Sequence, residues 1–369
     1  MNEFNHARLR LALEYLGWTA KDYSVRAGIG TATTYRILSG KTAFTEHRAR
    51  EAQLITGFPL TFFISNDEAL SNTMLTFRAK RDVSVKIKEK VVSEFTLLSE
   101  AVRKLRDMTG FAAKAEWIDS IAPASRPSLA DIESIAVDTR RALGIKDHDP
   151  VNDVMRAFER GGIPSVPMVS DGGSMTHEGV TCPTEPFCVP VIGYFRNEAS
   201  GDRLRYTIAH EGGHLILQHF RTETDIQVKE REAHQFAGAF LLPERSARAV
   251  LTARMDLRDY IEVKASYGIS IAALIMRAAQ LGLIDNDRKR SLMIQLSARG
   301  WRHKEPVHVE KETPLLFRQM LGSAFGNLET PTRAVVSKPA AEGFLGLPSH
   351  MLDTWSDGVE FRTETDFII

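Results

Sequence analysis

Between Thr207 and Leu217 the chain reads His210-Glu211-Gly212-Gly213-His214, a pattern that leaves little freedom in how the surrounding residues can be used. On an α-helix, residues four apart stack on one face, so His210 and His214 can present two imidazole nitrogens to one ion. Glu211, one step round the helix, reaches toward a water beside that ion. Two ligands and a general base are what metal-assisted peptide hydrolysis requires. The ion polarises a carbonyl and lowers the pKa of water, and the carboxylate carries the proton toward the leaving amine.

The flanking residues support a helix: Ile208, Leu215 and Ile216 have helical apolar spacing, and the run from Cys188 to Phe195 ahead of them reads as a strand. Gly212 and Gly213 fit less easily, since each costs a helix roughly 1 kcal/mol relative to alanine, and the pair therefore implies close backbone approach. A catalytic zinc needs a third protein ligand. The next helical stretch, Val228 to Pro243, offers Glu230 and His234, four apart on one face. One can ligate while the other holds a ligating histidine in place. Glu232 points elsewhere and is the weaker candidate. A longer motif with a glycine three residues and a histidine six residues after His214 is excluded, because those places hold Leu217 and Phe220; His219 lies five residues on.

At 369 residues the chain exceeds one typical domain, and its 47 Lys and Arg balance 47 Asp and Glu, so any nucleic-acid contact must come from a local patch. No run of about 18 apolar residues exists and no signal peptide is legible at the N-terminus, which predicts a cytoplasmic protein without membrane association. The two cysteines, Cys182 and Cys188, exclude a disulfide framework. Two idle thiols are the default expectation, the alternatives being a closed small loop or a removable thiolate on the zinc.

Residues 6–65 read as four short helices. The first carries Leu9, Leu11, Ala12 and Leu16 and stops at Gly17; Thr19 caps the second, which ends at Gly28; Thr31 caps a third through Leu38; the fourth spans Glu46–Ile55 before Gly57. Two short helices joined by a tight turn within a bundle are the elements of a helix-turn-helix. Residues 1–65 hold eight Lys/Arg against five Asp/Glu, a modest basic excess. A long charged segment from Phe77 to Met108 predicts a further helix, read as a solvated face, with a linker, a homodimer contact or a nucleic-acid flank as other uses. Ile121 to Ser128 reads as a loop and domain boundary. Beyond it come helices from Ser128 to Leu143 and Val151 to Glu159, a strand at 163–169, a polar turn region at 170–181 and a second strand at 188–196. Past Pro243, helices are expected at 256–266, 270–281, 286–298 and 315–323; 330–369 carries no functional reading.

The runs Arg205 to His219 and Glu230 to Ala237, closed by Leu241-Leu242-Pro243, resemble the ImmA/IrrE metallopeptidases, bacterial and phage zinc peptidases that cleave transcriptional repressors. The resemblance implies Zn2+ held by His210, His214 and Glu230, with Glu211 as base and His234 as the outer partner of a ligand, although the family has Asn or Asp at that last place. The N-terminal stretch resembles the XRE, lambda-repressor-like helix-turn-helix domain. That implies a third helix in the major groove, with Thr31, Thr33, Tyr35 and Arg36 toward bases or phosphates and Lys41 near the backbone. Ala20 and Leu38 depart from the glutamine and glutamate common in that domain.

The expected architecture is α+β and mostly helical. A helix-turn-helix bundle occupies 1–66, a helical linker 67–127, a zincin-like metallopeptidase domain with a small sheet 128–300, and a helical C-terminal region 301–369. The expected function is a DNA-associated zinc endopeptidase with an operator-like DNA site and a repressor-like protein substrate. Two alternatives remain: a DNA-binding regulator whose metal domain senses or is degenerate, and an N-terminal module that only docks a protein partner.

Overall fold

The computed structural model describes residues 4–65, 84–111, 113–170, 179–181, 189–196, 200–221, 224–330, 333–357 and 359–362. Cys182, Cys188 and the basic residues Arg78, Lys80 and Arg81 lie outside them.

The chain opens with a four-helix bundle, α1 (His6–Leu16), α2 (Ala20–Ala27), α3 (Thr31–Leu38) and α4 (Glu46–Thr56), followed by a 3-10 turn at Leu60–Ile64. Local chemistry sets these boundaries. Thr19 and Asp22 form a reciprocal capping box at the start of α2, and Gly17, Gly28 and Gly57 end their helices in the left-handed conformation. Thr31 is not the cap that the sequence suggests. Gly30 occupies that position, and Thr31 is the first helical residue. Between α2 and α3, Ser24 Oγ and Thr34 Oγ1 lie 2.9 Å apart in the buried seam.

Next comes α5 (Val85–Thr109), whose first turn is partly exposed. From Val91 to Val102 it is buried on every side, in contrast to the solvated face that its charges predict. Arg8 of α1 makes a two-pronged pair with Glu100 of α5 at 2.7 and 2.8 Å, lies 4.2 Å over the Phe62 ring, and is itself only 2% exposed.

After α6 (Trp117–Ile121), α7 (Leu129–Ala142) and α8 (Val154–Arg160) comes a small sheet of β1 (Ser165–Met168), β2 (Gly179–Thr181) and β3 (Ile192–Phe195) in the order β1-β3-β2. β1 runs parallel to β3 and β2 antiparallel to it, with Val180 opposite Gly193. The sequence expectation of a turn region through 181 is corrected here, because the last three of those residues form the edge strand. Every strand residue is buried, since the sheet is covered on both faces. Ile192 and Tyr194 enter one apolar core with the helix α9 (Gly201–Ile216), while Val166, Met168, Val180 and Phe195 enter a second with Phe95 of α5.

The first of these cores is completed by α10 (Ile226–Leu241), α11 (Glu244–Val250), α12 (Asp259–Tyr267), α13 (Ile271–Gln280) and α14 (Asn286–Ala298). The second takes in the N-terminal bundle and the end of the chain: α15 (Leu316–Phe325), the strand β5 (Arg333–Ser337), α16 (Lys338–Leu345) and α17 (Ser349–Ser356), with Phe361 of β6 (Glu360–Arg362) packed against it; β4 (Gly326–Thr330) pairs antiparallel with β5. Glu94 of α5 joins three parts of this core, accepting from the backbone N–H groups of Val169 and Ser170 at the end of β1 and from Trp355 Nε1 of α17 at 3.1 Å.

Three carboxylates distant in sequence hold the starts of other helices, where backbone N–H groups have no partner within the helix. Glu312 accepts from Val154 and Met155 at α8, Glu305 from Ile271 at α13, and Glu159 from Leu315 and Leu316 at α15. Glu305 also pairs with Lys264, which is bound to Asp202 at the start of α9.

Removing one side of the Arg8–Glu100 pair strands a buried charge. Arg8→Ala is expected to lower stability by about 3–5 kcal/mol, and the double change Arg8→Met with Glu100→Leu to restore most of it. Denaturant unfolding of the two variants decides this; a single variant as stable as the parent would contradict the assignment.

Candidate metal centre

The helix α9 owes its place to the two glycines inside the motif. A Cβ on Gly212 would lie 2.3 Å from the tip of the Phe158 ring on α8, and one on Gly213 would lie 3.0 Å from Cδ1 of Phe236 on α10. Phe158, Phe240 and Phe236 stack in that order beneath it, with successive ring centroids 5.2 and 5.9 Å apart. The close approach inferred from the sequence is therefore real, and it brings α10 near enough to deliver a carboxylate.

His210, His214 and Glu230 converge and are all buried. The two Nε2 atoms stand 3.2 Å apart, and each lies 3.5 Å from an oxygen of Glu230. Ligands about 2.0–2.1 Å from a tetrahedral ion are separated by roughly 3.3–3.4 Å, so the spacing and the donor types both fit a zinc-sized cation held by two imidazoles and a carboxylate.

Glu211 is buried beneath the edge strand: a Cβ on Gly179 of β2 would fall 2.6 Å from Glu211 Cγ and 3.0 Å from its Oε1. Only a glycine lets β2 pass so close, which puts strand edge and carboxylate side by side.

Behind His214 runs a chain of contacts that the sequence did not suggest. His214 Nδ1 lies 2.8 Å from Nδ1 of His219, His219 Nε2 lies 3.2 Å from Glu232, and the other Glu232 oxygen accepts from Arg126 Nε at 2.8 Å. Burial, with His214 next in weight, pushes His219 down to about 2, so it is neutral. Gln218 makes the turn possible: its φ of 53° is left-handed, a conformation uncommon outside glycine, and it swings the chain back so that His219 meets His214.

His234 sits beside His210. It is exposed, its ring centroid lies 4.3 Å from that of His210, and Tyr206 donates to its carbonyl at 3.1 Å. It thus stands against the face of one histidine, while Glu232, the weaker candidate by sequence, is buried and reaches the other through His219. No residue pattern announces this, because the contact depends on the left-handed turn. The remaining site candidates belong to the N-terminal bundle, where Thr31, Thr33, Tyr35, Arg36 and Lys41 are all exposed.

Residues 169–279 match the family model of the IrrE N-terminal-like domain, a peptidase family. That IrrE-like segment runs from the end of β1 into α13 and contains His210, His214 and Glu230, and it supports the resemblance to ImmA/IrrE metallopeptidases. No curated protein matches the chain. Among the described residues no helix is long and apolar enough to cross a membrane.

The glycine pair can be tested directly. Gly212→Ala should destabilise by about 1–3 kcal/mol despite its helix-propensity gain, and Gly213→Ala by less, because only the first meets a ring head-on. Thermal melting of both variants measures the difference, and equal melting points would refute the packing account.

Proposed function

We propose that this protein is a zinc-dependent endopeptidase that cleaves a partner regulatory protein, such as a transcriptional repressor, and that its N-terminal bundle is a helix-turn-helix bound to DNA. The observation that carries the reading is the convergence of His210, His214 and Glu230 within the IrrE-like segment.

In this reading His210, His214 and Glu230 hold the metal. Zinc bound there supplies a Lewis acid for the scissile carbonyl and makes water a usable nucleophile near neutral pH. Glu211 takes the proton from the attacking water and delivers it to the leaving nitrogen. An extended substrate lies along β2, the strand that passes over Glu211, so that backbone hydrogen bonds hold the peptide. A cavity of about 570 Å3 beside His234, lined by Tyr206, Arg203, Arg231 and Met276 among others, offers room for substrate side chains.

The DNA-binding part rests on exposure and charge. Tyr35 is 61% exposed and Arg36 stands free of the core, on the helix that the helix-turn-helix geometry offers to the major groove. The bundle lies in the cytoplasm in this reading, and a homodimer would match a two-fold DNA site.

Elemental analysis should find about one zinc per chain in the full-length protein and a loss of it in Glu230→Ala. Glu211→Gln should keep the zinc yet abolish cleavage of the partner, read by comparing new protein N-termini in cells carrying either form. Cleavage that survives Glu211→Gln would sink the endopeptidase reading. A gel shift unaffected by Arg36→Ala and by salt would sink the DNA-binding part.

A further inference from the structure

We infer that Glu232 and His219 are positioning residues that set the affinity of the metal centre, and that Arg126 on the 122–127 loop is the outer anchor of the same chain. The inference rests on reading His210, His214 and Glu230 as a metal site.

The hydrogen bonds admit one arrangement of protons when His214 Nε2 is a ligand. His214 Nδ1 then carries a hydrogen and donates to His219 Nδ1. Because its Nδ1 accepts that hydrogen bond, His219 carries its own hydrogen on Nε2 and donates to Glu232. Arg126 Nε donates to the remaining Glu232 oxygen. Each donor points away from the metal and leaves a lone pair on His214 Nε2 directed at His210 and Glu230. A carboxylate behind a ligating histidine fixes its tautomer, orients its ring and raises its basicity, and losing it commonly costs 10- to 100-fold in metal affinity. Here an interposed imidazole transmits that influence across α9, the following turn and α10.

The outer end of the chain is unusual. His219 and Glu232 are buried, but Arg126 is 59% exposed and sits on a loop separated from Leu217 and His219 by a cavity of about 490 Å3. The loop is therefore held toward the metal helix through its ion pair as well as by its own backbone. Whatever moves the loop reaches His214.

The test uses the full chain freed of metal, titrated with zinc against a competing chelator, and with cobalt(II) for its visible spectrum. Glu232→Gln should weaken zinc binding roughly 10- to 100-fold and shift the cobalt bands, which a merely structural role would not do. Arg126→Gln, a change at a half-exposed side chain that leaves the core intact, should weaken it about threefold, and Arg126→Lys should recover most of that. If Glu232→Gln does not fold, the Arg126 pair carries the test. Wild-type binding with all variants within about twofold of it and unchanged cobalt spectra would overturn the relay while leaving the peptidase reading intact. A wild type that takes up no zinc would overturn both.

Discussion

The centre depends on two helices lying closer together than ordinary side chains allow. Glu230 belongs to α10 and the two histidines to α9, and no choice of rotamer brings them within a few ångströms unless the helices are nearly in contact. Gly213 admits Phe236 and Gly212 admits Phe158, so α9 is clasped between α8 and α10. The propensity lost at two glycines, roughly 1 kcal/mol each, is the cost of that clasp. Much of the rest follows. With α9 fixed, Glu211 faces the sheet, Gly179 lets the edge strand lie over it, and the turn at Gln218 lands His219 on the back of His214.

Buried charge does for the larger assembly what the glycines do for the site. Arg8 and Glu100 join the N-terminal bundle to α5, and Glu94, two turns earlier on that helix, holds both the end of β1 and Trp355. The helix that its charges mark as a solvated spacer is thereby the column between the bundle and the sheet. Buried ion pairs add little net stability but are strongly particular about their partners. Here they specify which faces meet, and the apolar core supplies most of the energy.

What could be read from the sequence was whatever local chemistry decides. Thr19 caps a helix where the sequence places it, helices begin at Ser128 and Ser270 as their ranges predict, Gly17, Gly28 and Gly57 end helices as expected, and four-residue spacing alone brings His210 and His214 together. What could not be read depends on distant partners. Gly179-Val180-Thr181 is too short to announce a strand and becomes one by pairing with β3. Glu232 looked misdirected because a helical wheel knows nothing of a left-handed residue fourteen positions earlier. Among the described residues near the end of the chain, α16 packs on α5 and on the 3-10 turn of the bundle and α17 on β1, partners that lie far back in the sequence and that no local pattern announces.

The Glu94–Trp355 bond spans 261 residues, and that separation has a consequence for how the molecule is born. Synthesis proceeds from the N-terminus, and domains ordinarily close as they emerge. The slot on α5 that α15 and α17 fill stays open until almost all of the chain has left the ribosome. Until then Phe95, Leu98 and Val102 have only part of their cover, and a helix meant for the interior is partly bathed in solvent. Contacts so remote in sequence close slowly. The candidate metal site, whose α9 and α10 are neighbours in the chain, is under no such delay, so the nascent protein can bring His210, His214 and Glu230 together before its N-terminal bundle has settled.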